Sequence, residues 1–243
     1  MNLSVTDYKE SRRIGTSSYR LQDRIFTVLK NHTGDFYLTG GTALSRFYLN
    51  HRYSDDLDFF VNHSSTFQDD VRKIVKLLGN HFVIDKSASL ETPEFVRIWI
   101  TEKFRMKVEF INDVSEYWGK SIRTEKALID NPANILANKL TALLSRDEPK
   151  DIFDIVTIAE TWSFNWRDVY QHAVEKQLMN EPDVAIRLST FPVEQLLDNL
   201  WLKESVNLSS FKEKLETIID DFLLASDNSL GTGKVPIIEA API

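Results

Sequence analysis

The alternation of apolar and polar positions predicts a mixed α/β first half and an all-helical second half. Over residues 17–30, Leu21, Ile25 and Leu29 fall on one helical stripe. The short apolar run Phe36-Tyr37-Leu38 stops at Gly40-Gly41, which predicts a strand ending in a tight turn. After it, Ala43, Leu44, Phe47 and Tyr48 recur at helical spacing with Thr42 as the expected N-cap. A strand is expected over 58–61 and a helix over 67–80. Further strands are expected over 82–85, over 95–101, where Val96, Ile98 and Ile100 alternate, and over 106–111. In that last strand Met106, Val108 and Phe110 share one face, while Lys107, Glu109 and Ile111 share the other.

Beyond about residue 115 the period changes. Asn131-Pro132 marks a helix start, and the run to Arg146 places Ile135, Leu136, Leu140, Leu143 and Leu144 at helical spacing. Ile152, Ile155, Val156 and Ala159 give a second stripe, with further helices expected over 165–177, 183–189, 192–201 and 208–224. The chain is therefore expected to be α+β, a catalytic domain over 1–115 with a helical companion over 116–226, joined near 113–130. Residues 227–243, with their prolines and Gly-Thr-Gly, are expected to form a loose tail.

Composition narrows the chemistry. The 243 residues are 42% hydrophobic and 27% charged, ordinary for a globular protein. With no cysteine, any metal site must use carboxylates or the five histidines, and His32, His51, His63, His81 and His172 show no ligand spacing. They are expected to be structural or exposed. Residues 1–110 carry 16 basic against 14 acidic side chains, and residues 111–243 carry 13 against 22. A polyanion would therefore be met mainly by the first half, although a net charge of −7 argues against indiscriminate nucleic-acid binding. No stretch approaches the length of a membrane span, and residues 1–7 do not read as a leader, so a cytoplasmic protein is expected.

The candidate chemistry lies in two linked stretches, Thr39-Gly40-Gly41-Thr42-Ala43-Leu44 and Arg52-Tyr53-Ser54-Asp55-Asp56-Leu57-Asp58-Phe59-Phe60. A glycine pair lets backbone approach a ligand closely, and the helix N-terminus that follows favours phosphate. Asp56 and Asp58, two apart at a strand start, project to one side and suit a hard cation such as Mg²⁺. Glu109, on the polar face of its strand, is a candidate third acid. Each element alone is weak: Gly-Gly-Thr is usually a turn, Asp-x-Asp also serves glycosyltransferases, and Arg52 reads equally as a phosphate contact or a surface residue.

In combination these motifs resemble the DNA polymerase β-like nucleotidyltransferase superfamily, and within it the AbiEii/AbiGii (MenT-like) toxin group. The resemblance extends through Asn138-Lys139-Leu140-Thr141-Ala142-Leu143, Arg146 and Lys150-Asp151-Ile152-Phe153-Asp154-Ile155. Lys150 stands where the group carries Arg, which weakens any bidentate phosphate contact. The resemblance implies a metal-dependent transfer of a nucleoside monophosphate from an NTP to an acceptor such as an RNA or tRNA end. It also implies a toxin restrained by a cognate antitoxin. Gly40, Gly41 and Thr42 would cradle the triphosphate, with Arg52, Arg146 and Asp151 in the nucleotide site. Asp56, Asp58 and Glu109 would hold Mg²⁺ or Mn²⁺, and Lys139 would reach the phosphates. Asp151 or Asp154 would orient Lys139 or touch the nucleotide. The competing reading is a catalytically silent relative acting as an interaction or nucleotide-sensing module, but both acids of the Asp-x-Asp pair are present.

Overall fold

A computed structural model describes residues 5–197 and 201–243, with side chains from Gly15 onward. Met1–Ser4 and part of the expected 192–201 helix lie outside the described residues. The elements run α1 (Val5–Leu29), β1 (Tyr37–Thr39), α2 (Gly40–Leu44), β2 (Leu57–Asn62), α3 (Phe67–Gly79), β3 (Val83–Ile84), β4 (Leu90–Thr92), β5 (Phe95–Thr101), β6 (Arg105–Asp113), β7 (Ile122–Arg123) and β8 (Leu128–Ile129). The helices α4 (Pro132–Ser145), α5 (Pro149–Thr161), α6 (Trp166–Lys176), α7 (Glu181–Ser189) and α8 (Leu208–Leu223) follow.

Eight strands form one mixed sheet in the order β3-β5-β6-β2-β1-β8-β7, with β4 also paired to β5. β2 lies parallel to β6 and antiparallel to β1, and β5 lies antiparallel to β6. One face of these strands is apolar. Leu57, Phe59 and Val61 of β2, Val96, Ile98 and Ile100 of β5, and Met106, Val108 and Phe110 of β6 are all buried. They join one core with Leu21, Ile25 and Leu29 of α1 and Phe67, Val71, Ile74 and Leu78 of α3. The other face carries the alternate residues and opens toward α4. The expected split of β6 by parity is the one observed.

Several expectations change. Helix α2 starts two residues before Thr42, so Thr39 holds the N-cap position, and Thr42 sits inside the helix and is buried. The helix then widens into a π turn over Ser45–Leu49, ended by Asn50 in the left-handed conformation (φ 51°). The sheet continues past residue 115 through β7 and β8. Over 192–201, the described part forms only a short 3₁₀ turn at Val193–Leu196.

The 227–243 segment is packed against the body. Asn228 is buried and donates from Nδ2 to the carbonyls of Ala159 (2.7 Å) and Trp162 (2.9 Å). Ile237 and Ala240 join the core, and the Ile243 amide bonds the Phe47 carbonyl at 2.8 Å. Among the described residues, no helix is long and apolar enough to cross a membrane.

Candidate active site

The cleft of about 490 Å³ between the sheet and α4 gathers most of the expected residues: Gly40, Gly41, Arg52, Asp56, Asp58, Glu109, Lys139, Arg146 and Asp151. Thr42 and Asp154 do not line it.

Its floor is set by strand register. Asp58 is opposite Glu109, which is opposite Arg97, so three charged side chains form one row across β2, β6 and β5. Glu109 is gripped by Arg97 Nε at 2.6 Å and Lys107 Nζ at 3.1 Å. Burial works against its charge, but Lys107 and Arg97 keep its carboxyl below the usual range. For Asp58, burial and then the charges of Glu109 and Asp56 hold the carboxyl up at about 7. Lys107 pulls Asp58 the other way but is outweighed. Lys107 also approaches Asp56, at 3.4 Å. Among the described residues, no three His, Cys, Asp or Glu side chains converge at metal-binding distance. Glu109 lines the cleft but is engaged by two cations, whereas among the described residues Asp56 has only the longer contact to Lys107 and Asp58 has no ion pair. Two close carboxylates, one with its charge disfavoured by its surroundings, fit a hard divalent cation.

The glycine pair has an explanation that the sequence did not suggest. Gly40 takes a left-handed φ of 66°, and a Cβ there would stand 3.0 Å from Asp58 Oδ2. At Gly41 a Cβ would collide with the Arg52 guanidinium. The missing side chains therefore admit Asp58 and Arg52 to the turn. Thr42 donates its hydroxyl to the Asp56 carbonyl, fixing the backbone that carries the first acid. It is thus placed as a tether inside the fold and does not reach the cleft as a phosphate donor.

The far wall is an ion-pair network. Asp154 is fully buried and accepts from Arg52 Nε (2.6 Å) and Nη2 (2.7 Å), from Lys139 Nζ (2.6 Å) and from His51 Nε2 (2.7 Å). Despite burial, Arg52 and Lys139 hold its carboxyl well below the usual range. Burial lowers the His51 pKa, so the neutral ring donates from Nε2 to Asp154. Asp151 lies between Lys139 Nζ (2.6 Å) and Arg146 Nε (2.7 Å), and Lys139 followed by Arg146 keeps it ionised against burial. Arg52 is neither a surface arginine nor a free phosphate contact: at 2% exposure its guanidinium is committed to Asp154 and to the Tyr53 carbonyl. Asp154 contacts Lys139 from behind the cleft wall. His51 and Lys107 were not singled out from the sequence. Lys107 shares the parity of Glu109 in β6, which could have found it; nothing local marks His51.

The comparisons with known proteins can be set beside this geometry. Residues 25–228 match the family described as Nucleotidyl transferase AbiEii toxin, Type IV TA system. The chain belongs to this family. As an AbiEii-family member it is a nucleotidyltransferase, and the expected mixed sheet with flanking helices is the fold of its relatives. MenT4, a nucleotidyltransferase toxin from Mycobacterium tuberculosis, superposes with a TM-score of 0.58 at 14% identity, covering 90% of this chain and 84% of that one. JHP933 from Helicobacter pylori superposes with a TM-score of 0.55 at 20% identity, covering 85% and 90%. A putative nucleotidyltransferase from H. pylori gives 0.56 at 20% identity, covering 90% and 95%. No curated protein matches the chain.

Proposed function

We propose that the cleft transfers a nucleoside monophosphate from an NTP to a hydroxyl at an RNA end, dependent on a divalent cation held by Asp56 and Asp58. The reading rests on one observation: Asp56, Asp58 and Glu109 share a single cleft with Lys139 and Arg146. When bound, Mg²⁺ or Mn²⁺ supplies neutralisation of the triphosphate and lowers the pKa of the attacking hydroxyl. Lys139 spends two of its three N–H groups on Asp151 and Asp154 and keeps one for a phosphate oxygen. Arg146 keeps one edge for the same task. The acceptor oxygen bonds to the α-phosphorus as the bond to the bridging oxygen breaks and pyrophosphate leaves. The hydroxyl proton passes to solvent in the open cleft.

An RNA acceptor is supported by the basic side chains Lys107, Arg146 and Lys150 on the cleft, and by the positive balance of the first half. A cognate antitoxin and a toxin role are supported by the family's place in type IV toxin–antitoxin systems. The test is incubation with each α-labelled NTP, total RNA and Mg²⁺ or Mn²⁺. Label should enter RNA with the wild type and not with Asp56→Asn or Asp58→Asn. Absence of label under every divalent cation overturns the reading in favour of a silent module, and equal labelling by the variants removes Asp56 and Asp58 from the chemistry.

A further inference from the structure

Beyond the charged row, the cleft floor carries a second row that none of these assignments uses. Phe60 is opposite Ile111, and Ile111 is opposite Phe95. The row thus lies one pleat past Asp58–Glu109–Arg97, about 7 Å along the strands. All three side chains are half-buried and line the cleft. Partly open apolar side chains in a row are an unusual lining for a site whose chemistry is ionic, and their alternate neighbours Phe59, Val96 and Phe110 already fill the core. Two N–H donors overlook the same cleft. Asn138 Nδ2 is buried and has no hydrogen-bond partner among the described residues. A buried donor left unmet costs roughly 1–3 kcal/mol, so the amide suits a ligand that brings an acceptor. Lys176, 5% exposed, contacts Asp113 at 3.3 Å and has further N–H groups to offer.

We propose that Phe60, Ile111 and Phe95 form the seat of the NTP's nucleobase, with Asn138 and Lys176 donating to acceptor atoms on its edge. This rests on the NTP reading of the cleft. A triphosphate at the carboxylate row places its base across one ribose from the acids, on the apolar row. Every base presents a π face to such a floor. Discrimination between bases then comes from the two donors, because an edge that offers N–H where Asn138 donates leaves both groups unpaired.

The experiment compares equilibrium binding of the four NTPs with binding of inorganic tripolyphosphate, each with Mg²⁺, to the full chain. Phe60→Leu and Ile111→Ala should weaken NTP binding about tenfold, the lower part of the range for losing a stacked base, and leave tripolyphosphate binding unchanged. Asn138→Asp turns the donor into an acceptor and should reorder the four NTPs while leaving tripolyphosphate binding within about twofold of wild type. Urea unfolding midpoints identify variants that fail to fold, and Phe60→Tyr, which keeps the ring, should restore binding. Equal loss of NTP and tripolyphosphate affinity, or an unchanged NTP order with Asn138→Asp, overturns the assignment. So does a selective loss of ribonucleotide over deoxyribonucleotide binding in Asn138→Asp, which would put the amide on the sugar. The expected binding pattern without incorporation into RNA would leave the seat standing and remove the proposed acceptor. Failure of the wild type to bind any NTP removes both.

Discussion

Replacing Asp154 with Asn should destabilise the protein heavily, because the carboxylate accepts from Arg52, Lys139 and His51 in a dry setting. The Arg52 guanidinium, 2% exposed, then loses its counter-charge and one of two acceptor oxygens, keeping Nη1 to the Tyr53 carbonyl at 2.9 Å. Lys139 keeps Asp151, so its charge stays compensated, and His51 and Arg52 Nε share the one amide oxygen that remains. Removing one partner of a buried pair typically costs about 3–5 kcal/mol, since an uncompensated charge stays behind. Against a total stability of roughly 5–15 kcal/mol this is a large share. At about 2–4 °C per kcal/mol for a chain this size, the melting temperature should fall by roughly 6–20 °C. Urea unfolding at pH 7, read as a midpoint shift at constant slope, gives the free energy directly. The double variant Arg52→Met with Asp154→Leu should lose much less than the sum of its single changes, because no orphaned cation remains. The sign with pH is also fixed. The folded carboxyl lies well below its ordinary 3.8, so its contribution is complete above that value and is lost as pH falls through the folded pKa. Asp154→Asn should therefore flatten the acid limb of the stability curve. A loss below about 1 kcal/mol at pH 7, or additive single variants, would refute the account of Asp154 as the hub of the wall.

The remaining expectations concern the cleft and its supports. Asp58 titrates near 7 in the fold against 3.8 unfolded, so its contribution to stability is complete below the lower value and is lost as pH rises through about 7. Above pH 7 without divalent cations, Asp58→Asn should melt at or above wild type, and Mg²⁺ should raise the melting temperature of the wild type alone. At limiting Mg²⁺, incorporation should rise with pH through about 7, with the midpoint moving down as Mg²⁺ increases; a midpoint insensitive to metal would separate Asp58 from the cation. Gly41→Ala drives a methyl into the Arg52 guanidinium and should cost about 1–3 kcal/mol in urea unfolding. Asn228→Ala removes two buried hydrogen bonds and should cost about 2 kcal/mol. An unchanged midpoint would mean that the 227–243 segment contributes nothing to the fold.

Long periodic elements were legible in the sequence; of the short strands, β1 and β3 were expected and β4, β7 and β8 were not. β5 spans Phe95–Thr101 as expected, and α3 ends one residue short of its expected limit. β4, β7 and β8 have two or three residues each, too few for any alternation to register. The parity of β6 placed Lys107 and Glu109 on the cleft side because a period of two survives folding unaltered. Arg52 was opaque for a different reason. Its partner Asp154 is 102 residues away, and no local pattern distinguishes an arginine bound for a buried carboxylate from one bound for solvent. The 227–243 segment misled through composition: its prolines and glycines shape tight 3₁₀ turns, and Trp162, Asn228 and Ile237 lock them down.

The two rows on the cleft floor have a bearing on engineering. Even-numbered residues of β2 and odd-numbered residues of β5 and β6 face the substrate side, while the others build the core. A combinatorial library confined to positions 60, 95 and 111 would resculpt the lining and leave the interior packing of all three strands untouched. A single-residue insertion within β6 would do the reverse, sending Glu109 inward and Phe110 into the cleft. Substrate choice in this protein is thus adjustable by substitution and fragile to changes in strand length.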